Sequence, residues 1–261
     1  MIMIDNDINK FQSFSRSLGI VFRRIGVYSI IQIIAAVIIA VATVGMVFSI
    51  IRDPTPSAIF NVFQSTLWTI LIASFILEVI FYILVINLII VLRKAKNQNI
   101  PYRDKYQKTN LFFSISIVFG IILFIIAIFV VNYVLEIIWE IFSDPSFDID
   151  NLDVYLEQVP SINLPSTLIE LGRGVIYLLG FYFLKRNFDQ LNPYLQNSRD
   201  VNKGFFLIIL GYALSLIGSL LDILIDLGAF IGIAGMIISI VGYFKVSRGL
   251  KLLNWKTESL E

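Results

Sequence analysis

Two charged residues of this chain stand where charge is costly. Glu78 lies in the run Ser74-Phe-Ile-Leu-Glu-Val-Ile-Phe-Tyr82, and Arg173 lies in Leu171-Gly-Arg-Gly-Val-Ile176, each within a long apolar stretch. A carboxylate or guanidinium surrounded by hydrocarbon costs a few kcal/mol even on insertion scales, so such a residue has either a partner or a task. Ser74 and Tyr82 fall one helical turn on either side of Glu78 and can hydrogen-bond its carboxyl. Glu78 is fourteen residues from Leu92 and Arg173 eleven from Leu184, depths of about 21 and 16 Å by helical rise. A long arginine side chain can reach across that difference. The chemistry open to the two is a structural ion pair, a proton or ion relay, or an anion site at Arg173. Glu78 kept protonated, or turned toward a partner's helix, completes the set. Gly172 and Gly174 flank Arg173 and let a neighbouring helix or ligand come close. Gln32 and Asn87 add polar groups that suit hydrogen bonds between helices.

Much other chemistry is excluded. The sequence has no cysteine and no histidine. Disulfides, thiolate metal sites and cysteine nucleophiles therefore drop out, as do the usual ligand for zinc or haem and the usual general base near neutral pH. No cofactor is expected, and no nucleotide-binding glycine loop is present. The segment 143–167 holds Asp144, Asp148, Asp150, Asp153 and Glu157 without a cation. Asp148-x-Asp150-x-x-Asp153 lacks the ordered loop and terminal glutamate of a calcium site, so it reads as a solvated acidic cap. Glu136 and Glu140 beside Trp139, with Asp222 and Asp226, extend that acidity.

The elements that position these residues follow from composition. Apolar residues make up 57% of the 261, charged residues only 15%, and mean hydropathy is +0.84. These values describe an all-α integral membrane protein of the multi-pass type. About 20 apolar residues cross a bilayer core, and six stretches qualify: 27–51, 67–92, 111–142, 168–184, 205–221 and 228–244. The spans pair as three hairpins. From Leu92 and from Leu184, eighteen residues lead to Asn110 and Asn202, each just before a Phe-Phe pair opening the next span.

Eighteen of the twenty lysines and arginines fall in four patches between those stretches, leaving only Arg52 and Arg173 elsewhere. Cations gather in cytoplasmic loops of membrane proteins. That bias places both termini in the cytoplasm of a cell-membrane protein and the acidic segment outside. The expected division is a cytoplasmic amphipathic segment 1–26, a bundle 27–246 and a cytoplasmic tail 247–261. The inner loops, rich in cations, aromatics and amides, suit short interfacial helices on anionic headgroups rather than nucleic acid.

All seven prolines lie in loops or at span borders. Broken helices often mark transporter sites, so unbroken spans weaken that reading. Small residues recur along one face of the sixth span, at Gly228, Gly232, Gly235, Ser239 and Gly242, and the fifth span answers with Gly211, Ser215 and Gly218. Such seams let helix backbones approach closely in lipid. Weaker ones are Ala36, Ala40 and Thr43, and Ser116, Gly120 and Ala127. The functional expectation is a non-enzymatic accessory or scaffold subunit of a prokaryotic cytoplasmic membrane, in contact with lipid and with a membrane-protein partner or a second copy. The alternative is a small carrier or channel using Glu78 and Arg173.

Overall fold

In a computed structural model of the chain, residues 5–52, 55–97, 105–143, 163–222 and 228–255 are described. Among them are six α-helices: α1 (Asp5–Arg52), α2 (Pro56–Asn97), α3 (Lys105–Ser143), α4 (Asn163–Leu191), α5 (Arg199–Asp222) and α6 (Gly228–Leu252). A short 3₁₀ turn, Asn192–Tyr194, leads into β1 (Leu195–Gln196), which pairs antiparallel with β2 (Asn254–Trp255). The acidic segment 144–162 and the turn 223–227 lie outside the described residues, as does the stretch 98–104 of the first inner loop.

Five helices are long and apolar enough to cross a membrane: α1, α2, α3, α5 and α6. This makes the chain a membrane protein by length and composition. The fourth helix, which carries Arg173, is not one of the five, a count taken over the described residues alone. The first three helices run 48, 42 and 39 residues, or about 72, 63 and 58 Å by helical rise, well beyond a hydrocarbon core of about 30 Å.

Local chemistry sets the helix ends. Pro56 occupies the first turn of α2, where its missing N–H costs nothing, and the Thr55 hydroxyl accepts a bond from the Ala58 N–H at 3.4 Å. Within the helices, Ser29, Thr43 and Thr66 return their hydroxyls to carbonyls one turn back. That habit satisfies a hydroxyl where water is scarce. At the far end of α6, Asn197 adopts a left-handed φ of 61° and donates its side-chain amide to the Leu252 carbonyl at 3.3 Å. Asparagine tolerates that region better than most residues, and the bond satisfies a helix-terminal carbonyl.

The described chain divides into two compact units. The first takes residues 1–30, 80–119 and 171–261. Its core is aromatic. Phe181 lies 5.1 Å from Phe113, 5.3 Å from Tyr212 and 6.3 Å from Phe22, and Phe22 meets Phe205 edge-on at 5.5 Å. The stretch of α1 before Gly26 belongs to this core, because Phe11, Phe14, Leu18, Phe22 and Ile25 recur at helical spacing and are all buried. Arg16, Arg23 and Arg24 occupy the opposite, exposed face. The N-terminal amphipathic segment is thus one helix with the first span, and its apolar face meets protein.

The second inner loop likewise departs from the expected interfacial helix. Residues 192–196 form the 3₁₀ turn and the strand paired with Asn254 and Trp255. That pairing gives the backbone at both sites its hydrogen bonds.

The second unit takes residues 31–79 and 120–170. Its core is small: Ile59 and Ile138, with Phe60, Phe63, Val134 and Ile141 packed against them. Phe60 meets Trp139 edge-on at 4.8 Å, and Phe75 stacks on Phe124 at 4.3 Å. Glu136 and Glu140 are exposed on α3. Along α1 most apolar side chains of this unit face outward, Val41 with 67% of its surface exposed.

Candidate functional site

Within the first unit, α4 carries Arg173 and Tyr177 one turn apart, and α2 brings Tyr82 to the same guanidinium. Its Cζ lies 5.6 Å from the centre of each ring. A cation over an aromatic face is held by the ring's quadrupole, and for this half-buried guanidinium the two faces contribute on the order of 1 kcal/mol each. Tyrosine rings thus supply the electron-rich surroundings that lipid lacks. The site continues inward: Tyr177 stacks on Tyr212 at 6.0 Å, and the Tyr212 hydroxyl is 2.9 Å from that of Tyr243. Three helices, α4, α5 and α6, thereby contribute a file of tyrosines that begins at Arg173.

Space beside Arg173 is set by glycine. A side chain at Gly174 would overlap Leu216 of α5, so this glycine is where α5 approaches α4. At Gly172 an added Cβ would touch Phe119 at an ordinary 3.7 Å. Of the two flanking glycines Gly174 has the tighter surroundings, and what it meets is the end of a leucine side chain rather than backbone.

The sequence-nominated residues separate between the units. Arg173, Tyr82 and Asn87 belong to the first unit, and Glu78, Ser74 and Gln32 to the second. Tyr82 meets Arg173 with its ring as well as standing one turn from Glu78. Glu78 and Gln32 are half-buried and Ser74 is exposed. Asn87 is half-buried on α2.

The small residues of α5 and α6 meet backbone to backbone. A Cβ on Gly211 would lie 2.5 Å from the Gly235 carbonyl oxygen and 2.7 Å from the Ser239 nitrogen. On Gly218 it would lie 2.6 Å from the Gly232 nitrogen, and on Gly242 it would lie 2.7 Å from the Ile208 nitrogen. Gly204 and Gly249 continue the same contact toward Val246 and Val201. Ser215 donates its hydroxyl to the Gly232 carbonyl at 3.4 Å, and Ser239 donates to Met236 within its own helix. Gly232 differs from its neighbours, since its own Cβ would meet nothing within 4 Å. Of the weaker seams, Ala36 and Ala40 are exposed, whereas Ser116 and Gly120 are buried.

Sequence reasoning missed Tyr177, Tyr212 and Tyr243, and missed Gly204 and Gly249 as extensions of the seam. Tyr177 carried a signal, being four residues after Arg173 and so on its face. The other two depend on how α5 and α6 are rotated, which the seam determines. Among the described residues no group of three or more acidic residues is placed to hold a metal ion.

No curated protein and no solved structure matches the chain. A family model described as "Protein of unknown function (DUF973)" matches residues 100–251. That match takes in the seam, Arg173 and the three inner tyrosines, while Glu78 and Tyr82 precede it. With more than half its length so matched, the chain belongs to the DUF973 family.

Proposed function

We propose that the protein is a non-enzymatic accessory or scaffold subunit in a cell membrane, a six-span bundle of three hairpins with both termini in the cytoplasm. The observation that carries this reading is the regularity of the helices. Among the described residues no glycine has positive φ, and α5 meets α6 through backbone atoms along much of its length. Carriers commonly bind their cargo at unwound helix segments near midplane, and a zipped pair of continuous helices offers none. The outward apolar side chains of α1, from Ile31 to Phe48, give such a subunit surface for lipid and for a partner or second copy. In this reading α4 supplies the fourth of the six spans, with Arg173 held between two tyrosine rings, and the positive-inside bias sets the orientation. Purification of the tagged protein from its native membrane in mild detergent tests the proposal. A stoichiometric companion or a defined oligomer is expected; a clean monomer would count heavily against it.

A second reading is favoured by one observation, the guanidinium held between Tyr82 and Tyr177 at the head of the tyrosine file. Under it the protein is a small carrier or channel, with Arg173 and Glu78 as its charged groups. Flux in proteoliposomes lost in both Glu78→Gln and Arg173→Gln, with folding intact, would replace the first reading by the second.

A further inference from the structure

In the first unit α1 and α6 lie side by side, and three contacts fix their register. The Gln12 amide donates to the side-chain oxygen of Asn254, just beyond α6, at 3.4 Å. A Cβ added at Gly19 would lie 3.1 Å from the Ser247 carbonyl oxygen, 3.3 Å from the Leu250 Cβ and 3.8 Å from the Lys251 Cγ. One added at Gly26 would lie 3.2 Å from the Tyr243 Cβ and 3.3 Å from the Phe244 Cε2. Numbers rise along α1 as they fall along α6, so the two helices are antiparallel.

On α1, Phe11, Phe14, Leu18, Phe22 and Ile25 turn to the core on one side of the two glycines, while Arg16, Ile20, Arg23 and Val27 are exposed on the other. On α6, Gly242 and Gly249 face Ile208 and Val201 of α5, and Ile237, Val241, Arg248 and Lys251 are exposed. The seam therefore has an outer surface to which both helices contribute. Arg16 and Arg23 stand about one turn on either side of Gly19, and Arg248 and Lys251 follow directly on the Ser247 and Leu250 that Gly19 meets. Neighbouring helix axes are about 8–10 Å apart and seven residues rise about 10 Å, so these four cations crowd a patch roughly 10 Å on a side. Beyond Asp7, α1 carries no carboxylate, and α6 carries none at all. Neither helix can offset the repulsion within the patch.

Farther along the axes the same surface becomes apolar, with Val27 and Ile30 of α1 and Val241 and Ile237 of α6 exposed. The molecule that fits has an anionic head and a hydrocarbon body, in that order along the helices. A free anion would leave the apolar half uncovered, and a neutral lipid would leave the charges unanswered. We propose that this α1–α6 surface holds an anionic phospholipid, its phosphate among Arg16, Arg23, Arg248 and Lys251 and its acyl chains along Val27, Ile30, Val241 and Ile237. Basic surfaces between membrane helices take anionic headgroups, and the planar fork of arginine suits phosphate oxygens. A scaffold and a carrier could each hold such a lipid.

Native mass spectrometry of the full chain, released from micelles with equal amounts of phosphatidylglycerol and phosphatidylcholine, tests this. Phosphatidylglycerol should be retained several-fold over phosphatidylcholine. The double variant Arg23→Gln, Arg248→Gln should lose most of that excess, and Arg16→Gln, Lys251→Gln repeats the test with the other two cations. Arg93→Gln, Lys94→Gln removes two exposed cations of α2 instead, and should keep the excess. Equal retention of the two lipids, an excess that survives both α1–α6 variants, or one lost as fully in the α2 variant would overturn the proposal. Melting separates the lipid from its headgroup chemistry alone: added phosphatidylglycerol should raise the melting temperature, and inorganic phosphate should not. An equal rise with phosphate would overturn the acyl-chain half of the site.

Discussion

The α5–α6 hairpin and the α2–α3 pair of the second unit are both apolar antiparallel helices, yet they are held by opposite means. In the hairpin the side chains are reduced to hydrogen atoms and hydroxyls, and backbone meets backbone at Gly211, Gly218, Gly235 and Gly242. In the second unit large rings bridge the helices, Phe75 with Phe124 and Phe60 with Trp139. In lipid no hydrophobic drive presses helices together, so association depends on packing and interhelical hydrogen bonds. Close backbones gain many contacts at once but tolerate no added atom. Ring bridges gain less per length, and they leave room to adjust.

That difference can be broken at its strongest point. Gly211→Leu places a branched side chain where a Cβ alone would lie 2.5 Å from a carbonyl oxygen, and a loss of about 4 kcal/mol or more is expected. Collapse of the monodisperse peak in size-exclusion chromatography would report it; a variant as stable as its parent would refute the close approach. Next, Arg173→Ala removes the cation from between Tyr82 and Tyr177, a loss of about 2 kcal/mol read as a lower denaturation midpoint. Arg173→Lys should restore part of it. The ring-bridged pair should yield less: Phe75→Ala loses its stack on Phe124, and because Phe75 is partly exposed the cost should be about 1 kcal/mol. The smallest effect sharpens the contrast. Gly232→Ala and Gly45→Ala add a methyl that meets nothing within 4 Å, and both should stay within about 0.5 kcal/mol of the parent. A large loss at Gly232 would mean that every seam glycine matters, rather than those whose Cβ direction faces the partner helix.

Helical class and the membrane-crossing stretches were legible because hydropathy acts over twenty residues at a time. Helix ends were less so. The sequence reading begins the first span at residue 27, whereas α1 starts at Asp5, because Lys10, Arg16, Arg23 and Arg24 mask an apolar face at Phe11, Phe14, Leu18 and Phe22. The β1–β2 ladder was out of reach, since two-residue strands carry no periodicity and Leu195 finds Trp255 only once α5 and α6 have paired. Arg173 was legible as a charge out of place. Its tyrosine surroundings were not, because an aromatic ring in an apolar run looks like any other core residue until helix rotation is known.

The glycine contact also bears on the order in which the chain assembles. Gly211 meets Gly235 and Gly218 meets Gly232, so the partners are separated by only a couple of dozen residues and little loop-closure entropy stands against them. No residue from another helix is needed to complete those contacts. The hairpin is therefore the natural first-formed template, against which Phe22 of α1 and Phe181 of α4 later find their places. A peptide of residues 199–252 that pairs by itself in micelles would demonstrate that autonomy, and one that stays open would show that the outer helices impose it.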